Sequence, residues 1–407
     1  MKILFLYEKN KCYDSFRYFT ECIKAEFDRL GYETAIAPIG DKEKAIPDLV
    51  ALYDTDYDYV IDVAGAFLNK RDSDGEYCYN RIPGRKIHYV IDHPLYLRKI
   101  LSCPLKRTTC VCIDNNHADY IRRFYPHIED VIVDPLGGAT AQNQPAWEKR
   151  RNNLLFSGTY SSPELILKQV KSEDEEFRQL FFKMTALLLD EPSLTQEEAL
   201  EGACNSLKIR IDDFAIPKLL ERLYLADVYL RAVIREEVIL ACLRKGINVD
   251  VYGFGWELFL KKLSLTEPSL LQYINVKGQV PYRDTPKLFS EYKFVLNHMP
   301  WFKDGLHDRV PMAVMNGCVC FTDGTPYLEK IKNNKKIKNI IFYFLDDMDE
   351  GAETIRRIME DGSSYEEGFG SGSESDDNAD KAAEECINAA FSWEGHVKKL
   401  IAETGIM

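Results

Sequence analysis

The stretch Tyr292–Glu329, YKFVLNHMPWFKDGLHDRVPMAVMNGCVCFTDGTPYLE, decides how the chain is read. Its first five residues, Tyr292 to Leu296, form a short apolar run of the kind found in buried strands. A loop with Asn297, His298, Trp301, Asp304 and Gly305 follows. A helical pattern then starts near Leu306 and stops at Asn316-Gly317, where glycine supplies the left-handed turn that ends helices. Cys318 to Thr322 reads as the next strand, closed by Asp323-Gly324. Strand, polar loop, helix and strand make one unit of a parallel α/β sheet, and such sheets bind ligands at the carboxyl ends of their strands. The amides that open the following helix, at Gly305 and Leu306, are expected to favour an anion such as phosphate.

Working outward, the same alternation recurs on both sides. Lys2 to Tyr7, Tyr32 to Ala37, Tyr59 to Ala64, Lys86 to Ile91, Thr108 to Ile113 and Val131 to Val133 read as strands with helical patterns among them. Residues 1–145 are therefore expected to form one Rossmann-like domain. Arg151 to Ser157 starts a second series at a Gly158-Thr159 turn, continued by Ile247 to Tyr252 with Gly253-Phe254-Gly255 and by Tyr273 to Val276 with Gly278-Gln279-Val280-Pro281-Tyr282. Residues 146–385 make the second domain. It carries a helical insert over 161–245, with capping-box signals at Ser161/Glu164 and Thr195/Glu198. Residues 361–380 hold seven acids, four glycines and no Lys or Arg, a composition that suits a flexible loop. Residues 386–407 are expected to form a final helix that returns to the first domain.

The chain has 407 residues, too many for one ordinary core. A hydrophobic share of 45% and a charged share of 29% describe a globular protein. A net charge of −13 argues against nucleic acid as a partner, because phosphate backbones need clustered Lys and Arg. No apolar run reaches the roughly 18–20 residues of a membrane span, and Ile3 to Tyr7 is shorter than a signal peptide core. The eleven cysteines are odd in number and scattered, which points to reduced thiols and a cytoplasmic location. No zinc-type spacing pairs Cys110/Cys112 with Cys318/Cys320. Asp54-Thr55-Asp56 matches an Asp-x-Asp metal motif but lies in a tyrosine-rich turn, and Glu8-Lys9-Asn10-Lys11 stands where a dinucleotide fold needs its glycines.

On the stretch 292–329, the loop Asp92-His93-Pro94 and the turn Pro135-Leu136-Gly137-Gly138, the chain resembles GT-B glycosyltransferases, most of all the CgeB-like (spore maturation) group. The resemblance covers most of the chain outside 161–235 and 361–380. It implies two Rossmann-like doubly wound domains, with an acceptor in the first and a nucleotide sugar in the second. In related retaining families Glu-Gly opens the donor segment and a second Glu follows eight residues later to bind ribose. Here Asp304-Gly305 takes the first place, and Met312, which cannot accept such bonds, takes the second.

The resemblance implies a metal-independent hexosyltransferase using a uridine-diphosphate sugar as co-substrate, with no cofactor. Arg309 would hold phosphate with its fork of donors, with His307 beside it, and Asn297 and His298 would flank the diphosphate. Gly158, Thr159 and Gly253 would let the donor approach the backbone, and Gln279, Val280 and Tyr282 would meet the base. His93 is the candidate catalytic residue, with Asp92 orienting it and Asp304 near the sugar hydroxyls; Asp62 and Glu8 are reserves if a carboxylate base is needed. The acceptor, whether protein, glycan or small molecule, stays open, as do the sugar, the stereochemistry and homo-oligomerisation. A nucleotide-sugar epimerase and a non-catalytic partner subunit are the rival readings.

Overall fold

A computed structural model describes residues 1–9, 12–41, 44–335, 337–343, 345–361 and 377–406. The chain divides into two compact units: Met1–Gly137 with Pro281–Arg283 and Trp393–Met407, and Gly138–Val280 with Asp284–Ser392.

The first unit runs β1 (Lys2–Glu8), α1 (Ser15–Arg29), β2 (Glu33–Ile39), α2 (Ala45–Val50), β3 (Tyr59–Val63), α3 (Cys78–Arg81), β4 (Arg85–Val90), α4 (Arg98–Leu101), β5 (Thr108–Cys112), α5 (Asn115–Phe124) and β6 (Asp130–Val133). Its described strands form one parallel sheet in the order β2-β1-β3-β4-β5-β6. The central strands are mostly apolar and buried on both faces, as parallel sheets require. Leu4, Leu6, Val60, Leu49, Phe67 and Tyr79 pack one side of the sheet. Asp62, called on as a reserve base, is fully buried and committed. It accepts from Tyr79 Oη at 2.6 Å and from Gly65 N–H at 3.1 Å, and lies 2.7 Å from His88 Nδ1.

The second unit runs β7 (Arg151–Ser157), α6 (Pro163–Val170), α7 (Glu175–Asp190), α8 (Gln196–Ser206), α9 (Ile216–Arg222), α10 (Tyr224–Arg244), β8 (Val249–Tyr252), α11 (Trp256–Thr266), β9 (Ile274–Val276), α12 (Thr285–Ser290), β10 (Tyr292–Leu296), α13 (Arg309–Met315), β11 (Val319–Asp323), α14 (Pro326–Lys335), β12 (Ile340–Tyr343), α15 (Met348–Asp361) and α16 (Asp377–Phe391). The sheet order is β12-β11-β10-β7-β8-β9, all parallel. Read from the other edge this is the doubly wound order in which β7 and β10 flank the point where the winding reverses, and ligands bind outside the carboxyl ends of those two strands.

The helical insert is α6 to α10, and its capping box forms at Thr195/Glu198. At the other predicted start the cap is Ser162, not Ser161. The acidic stretch lies mostly outside the described residues, at 362–376. The chain breaks at Ser392 into α16 and α17 (Trp393–Thr404), and α17 packs on α1 within the first unit. There His396 Nδ1 lies 2.8 Å from buried Asp134.

Candidate functional site

The turns that follow β7, β8 and β9 are laced together by backbone. Gly158 N–H donates to Tyr252 O (2.7 Å), and Gly253 N–H donates to Gly278 O (2.8 Å). Gly253 has φ +143°, and a Cβ there would stand 2.3 Å from Gly158 O and 3.1 Å from Thr159 N. Glycine is required at this position on both counts. Trp256, opening α11, donates its indole N–H to Gly158 O at 2.9 Å.

Beyond β10, Asn297 and His298 are fully buried at the strand end. Tyr343 donates to Asn297 O (2.7 Å), while Asn297 Nδ2 donates to Thr322 Oγ1 (2.8 Å), so the amide oxygen turns to Arg309 Nη1 at 2.5 Å. The Arg309 guanidinium lies 5.3 Å over the Phe156 ring. A Cβ added at Gly158 would sit 3.7 Å from Arg309 Nη2. The predicted neighbours Gly158, Thr159, Asn297, His298, His307 and Arg309 thus do converge, at the β7/β10 reversal.

The helix that was to greet the phosphate behaves differently. It begins at Arg309, not near Leu306, and every amide of its first turn is already used. Arg309 N–H donates to His307 Nδ1 (3.2 Å), Val310 N–H to His307 O (3.0 Å) and Met312 N–H to Asp308 O (3.1 Å), and Pro311 has no N–H. Gly305 and Leu306 lie buried in the preceding loop; Gly305 O accepts from Thr325 Oγ1 at 2.6 Å. The helix end therefore leaves no first-turn amide for an anion, and any donors here are side chains.

Those side chains include two that the sequence reading passed over. Arg231 and Arg235 sit four residues apart on α10, in the insert. Arg235 Nε donates to His298 Nε2 (2.8 Å), and its Nη1 donates to Thr159 O. Its guanidinium lies 5.6 Å from the Phe156 ring centroid, so Arg235 and Arg309 share one aromatic platform. Arg231 lies 4.3 Å over Trp301 and pairs with Asp227 at 2.8 Å. The signal for them was present: two arginines one turn apart in a helix that is apolar on nearly every side must meet something polar.

With these cations nearby, the histidines are neutral. His298 is held well below its ordinary value, first by burial and then by Arg235 and Arg309. Because its Nε2 accepts from Arg235, Nδ1 carries the proton, and that N–H has no partner among the described residues. His307 is pushed down to about 4 by burial and Arg309, against the opposing pull of Asp308 at 2.7 Å. Asp323, at the end of β11, accepts Met299 N–H with both oxygens (2.8 and 3.0 Å), yet burial raises it to about 6.

Other predicted residues lie apart from this cluster. Gln279 is exposed and Val280 half-buried in the β9 turn. Tyr282 does not join that turn: Pro281–Arg283 counts with the first unit, where the Tyr282 ring packs 5.2 Å from Tyr18 and 4.9 Å from Phe19. Asp304 is half-buried. Met312 is 2% exposed, and a Cβ on Gly138 would fall 2.9 Å from its amide nitrogen, so this position is packed in the core.

Asp92 and His93 follow β4 in the first unit. His93 is 3% exposed, and its Nδ1 accepts Leu95 N–H at 3.1 Å, capping the turn at Pro94. Its ring meets His117 and Tyr120 edge-on at 4.7 and 5.2 Å. No group of three or more His, Cys, Asp or Glu among the described residues could hold a metal ion.

The profile of the family described as "Glycosyl transferase-like" matches residues 235–367. That match begins at Arg235 and contains Asn297, His298, His307 and Arg309. The fold is GT-B. Solved glycosyltransferases share it along their whole length. AviGT4, involved in avilamycin A biosynthesis, has a TM-score of 0.52 at 12% identity, over 100% of this chain and 97% of its own. An α-glucosyltransferase in complex with UDP and a 13-mer DNA containing an HMU base gives 0.55 at 12%, over 100% and 99%. HepE of Anabaena, in complex with UDP and glucose, gives 0.53 at 11%, over 100% of both chains. No curated protein matches the sequence. No helix among the described residues is long and apolar enough to cross a membrane.

Proposed function

We propose that the chain is a glycosyltransferase that takes a sugar from a uridine-diphosphate sugar, binding the donor in the second unit and an acceptor in the first. The observation that carries this reading is the pair Arg235 and Arg309, 5.6 and 5.3 Å from the Phe156 ring centroid, beside Gly158, at the reversal of a doubly wound sheet. A departing nucleoside diphosphate gains negative charge, and fixed cations in a partly dry site stabilise it. Two guanidiniums supply this with no metal ion, so the reaction is expected to be metal-independent and cofactor-free. His298 Nδ1–H is a neutral donor for a phosphate or sugar oxygen, and Asp304 would accept from sugar hydroxyls. The β9 turn, Gly278 to Val280, would meet the base through its backbone.

His93 is bound by its tautomer. With Nδ1 an acceptor, Nε2 carries the proton, so the ring can donate to a hydroxyl but cannot take a proton from one. Its role in this reading is to position, with Asp92 beside it. Cytoplasmic location and membership of the CgeB-like group remain part of the proposal, supported by the thiol content and the Asp92-His93-Pro94 loop. The α-glucosyltransferase neighbour is in complex with DNA, but a charge of −13 in this chain favours a different acceptor. The test is binding of nucleoside diphosphates with and without EDTA, followed by release of sugar from UDP-glucose in the same buffer.

A further inference from the structure

Resting on that reading, we propose that a hollow beside the end of β1 in the first unit holds the acceptor, and that the acceptor is a sugar carrying a carboxylate or a phosphate. The hollow has a volume of about 570 Å³ and is lined by Tyr7, Lys9, Tyr13, Asp14 and Arg17. That size falls within the range of about 300–1,000 Å³ usual for small-ligand sites.

Its place is set by topology. In the order β2-β1-β3-β4-β5-β6 the winding reverses between β1 and β3, so the ligand crevice of this sheet opens at the ends of those strands. Tyr7, one residue from the end of β1, pairs in register with Val63, the last residue of β3. The backbone leaving both strands is held in the left-handed region by residues other than glycine: Ala64 at φ +52° after β3, and Cys12, Tyr13 and Asp14 at +47°, +59° and +65° after β1. Backbone strain of this kind collects where ligands are held.

The lining fixes the chemistry. Tyr7 and Tyr13 offer flat apolar faces with hydroxyls at their edges, matching a sugar ring with a C–H face and a polar rim. Burial raises the Tyr7 hydroxyl above its ordinary value, so it stays a neutral donor. Asp14 is bridged by Arg17 at 3.9 Å and by Arg283 at 3.4 Å, and Arg17 also pairs with Glu21 at 2.6 Å. Lys9 is exposed and has no ion pair with a described residue. Three cations thus stand against two carboxylates, a local surplus of positive charge in a chain of net charge −13. A neutral sugar leaves that surplus unanswered; an acidic one matches it.

The experiment titrates the full chain with D-glucose, D-glucuronate, glucose 6-phosphate, acetate and inorganic phosphate, read by isothermal titration calorimetry. Glucuronate or glucose 6-phosphate is expected to bind at least about tenfold more tightly than glucose, and than its own free anion. Whichever of the two binds separates the carboxylate from the phosphate. Lys9→Glu, at an exposed site where folding is checked by circular dichroism, is expected to weaken that binding about tenfold, and Lys9→Arg to retain it. The proposal is overturned if glucose binds as tightly as the acidic sugars, if the free anions do so, if no sugar binds, or if Lys9→Glu has no effect. Failure of the donor reading would show separately, as the absence of any UDP-induced thermal shift in the wild-type chain.

Discussion

Arg235→Ala should damage the second unit well before any substrate is considered. The side chain gives two hydrogen bonds, to His298 Nε2 and to Thr159 O. His298 is fully buried and its other nitrogen already lacks a partner among the described residues, so the variant newly unpairs one ring nitrogen, Nε2. A buried polar group left unpaired costs about 1–3 kcal/mol, and the lost bond to Thr159 O adds about 0.5–1.5 kcal/mol, an upper range of about 1.5–4.5 kcal/mol. Removing a cation from beside a neutral imidazole and Arg309 returns part of this, and the net expectation is about 1–3 kcal/mol. Urea unfolding at pH 7.5, followed by the tryptophan fluorescence of Trp256 and Trp301, measures it. Arg235→Lys keeps the charge with one donor group and is expected to lose about half as much. The pH dependence should change too. In the wild type His298 stays neutral when folded, whereas the unfolded chain takes up a proton near 6.5, so stability is full above that pH and falls as the pH drops below it. Without Arg235 the imidazole protonates more readily, and the fall becomes shallower. An Ala variant within 0.5 kcal/mol of wild type, or a Lys variant as damaged as Ala, would refute this account of the site.

Three further outcomes follow from the same geometry. The folded-state value of Asp323 stands above its ordinary value, so its stabilising contribution is present below about 3.8 and is lost as the pH rises through about 6; relative to Asp323→Asn, the wild type should lose about 2–3 kcal/mol between pH 4 and 7 in paired urea titrations. In Arg309→Ala the His307 titration followed by NMR should move up from about 4 but stay below 6.5, because burial is the larger cause. Gly253→Ala should abolish soluble expression, since its Cβ would meet the Gly158 backbone; Gly278→Ala, at φ +81° with nothing within 4 Å, should cost only about 1 kcal/mol.

The two-sheet architecture was legible because parallel strands buried on both faces are largely apolar runs, and glycine follows β7, β8, β9 and β11. Gly158, Gly253 and Gly278 announced the turns at the ends of β7, β8 and β9 for that reason. The start of α13 was not legible. The run Leu306-His307-Asp308-Arg309 has helical spacing, but His307 folds back to cap Arg309 N–H, and this delays the helix by three residues and closes its amides to a ligand. Tyr282 was misassigned because a residue next to a turn in sequence can pack elsewhere, here on Tyr18 and Phe19. Arg231 and Arg235 were overlooked because the insert was read as a block apart, while α10 in fact brings them over Trp301 and Phe156.

Donor binding at the β7/β10 reversal is the central claim, and differential scanning fluorimetry with UDP, GDP, CMP, ADP and dTDP tests it most directly. At a hundredfold excess over Kd, a ligand that binds only the folded state adds about 2.7 kcal/mol, a shift that is easily read. The account predicts a shift with UDP that EDTA leaves unchanged. Arg309→Ala, having lost charge-assisted bonds worth about 1.5–3 kcal/mol, should need roughly 10–100 times more UDP to reach it. A wild-type chain that shifts with none of these nucleotides would contradict the donor site outright.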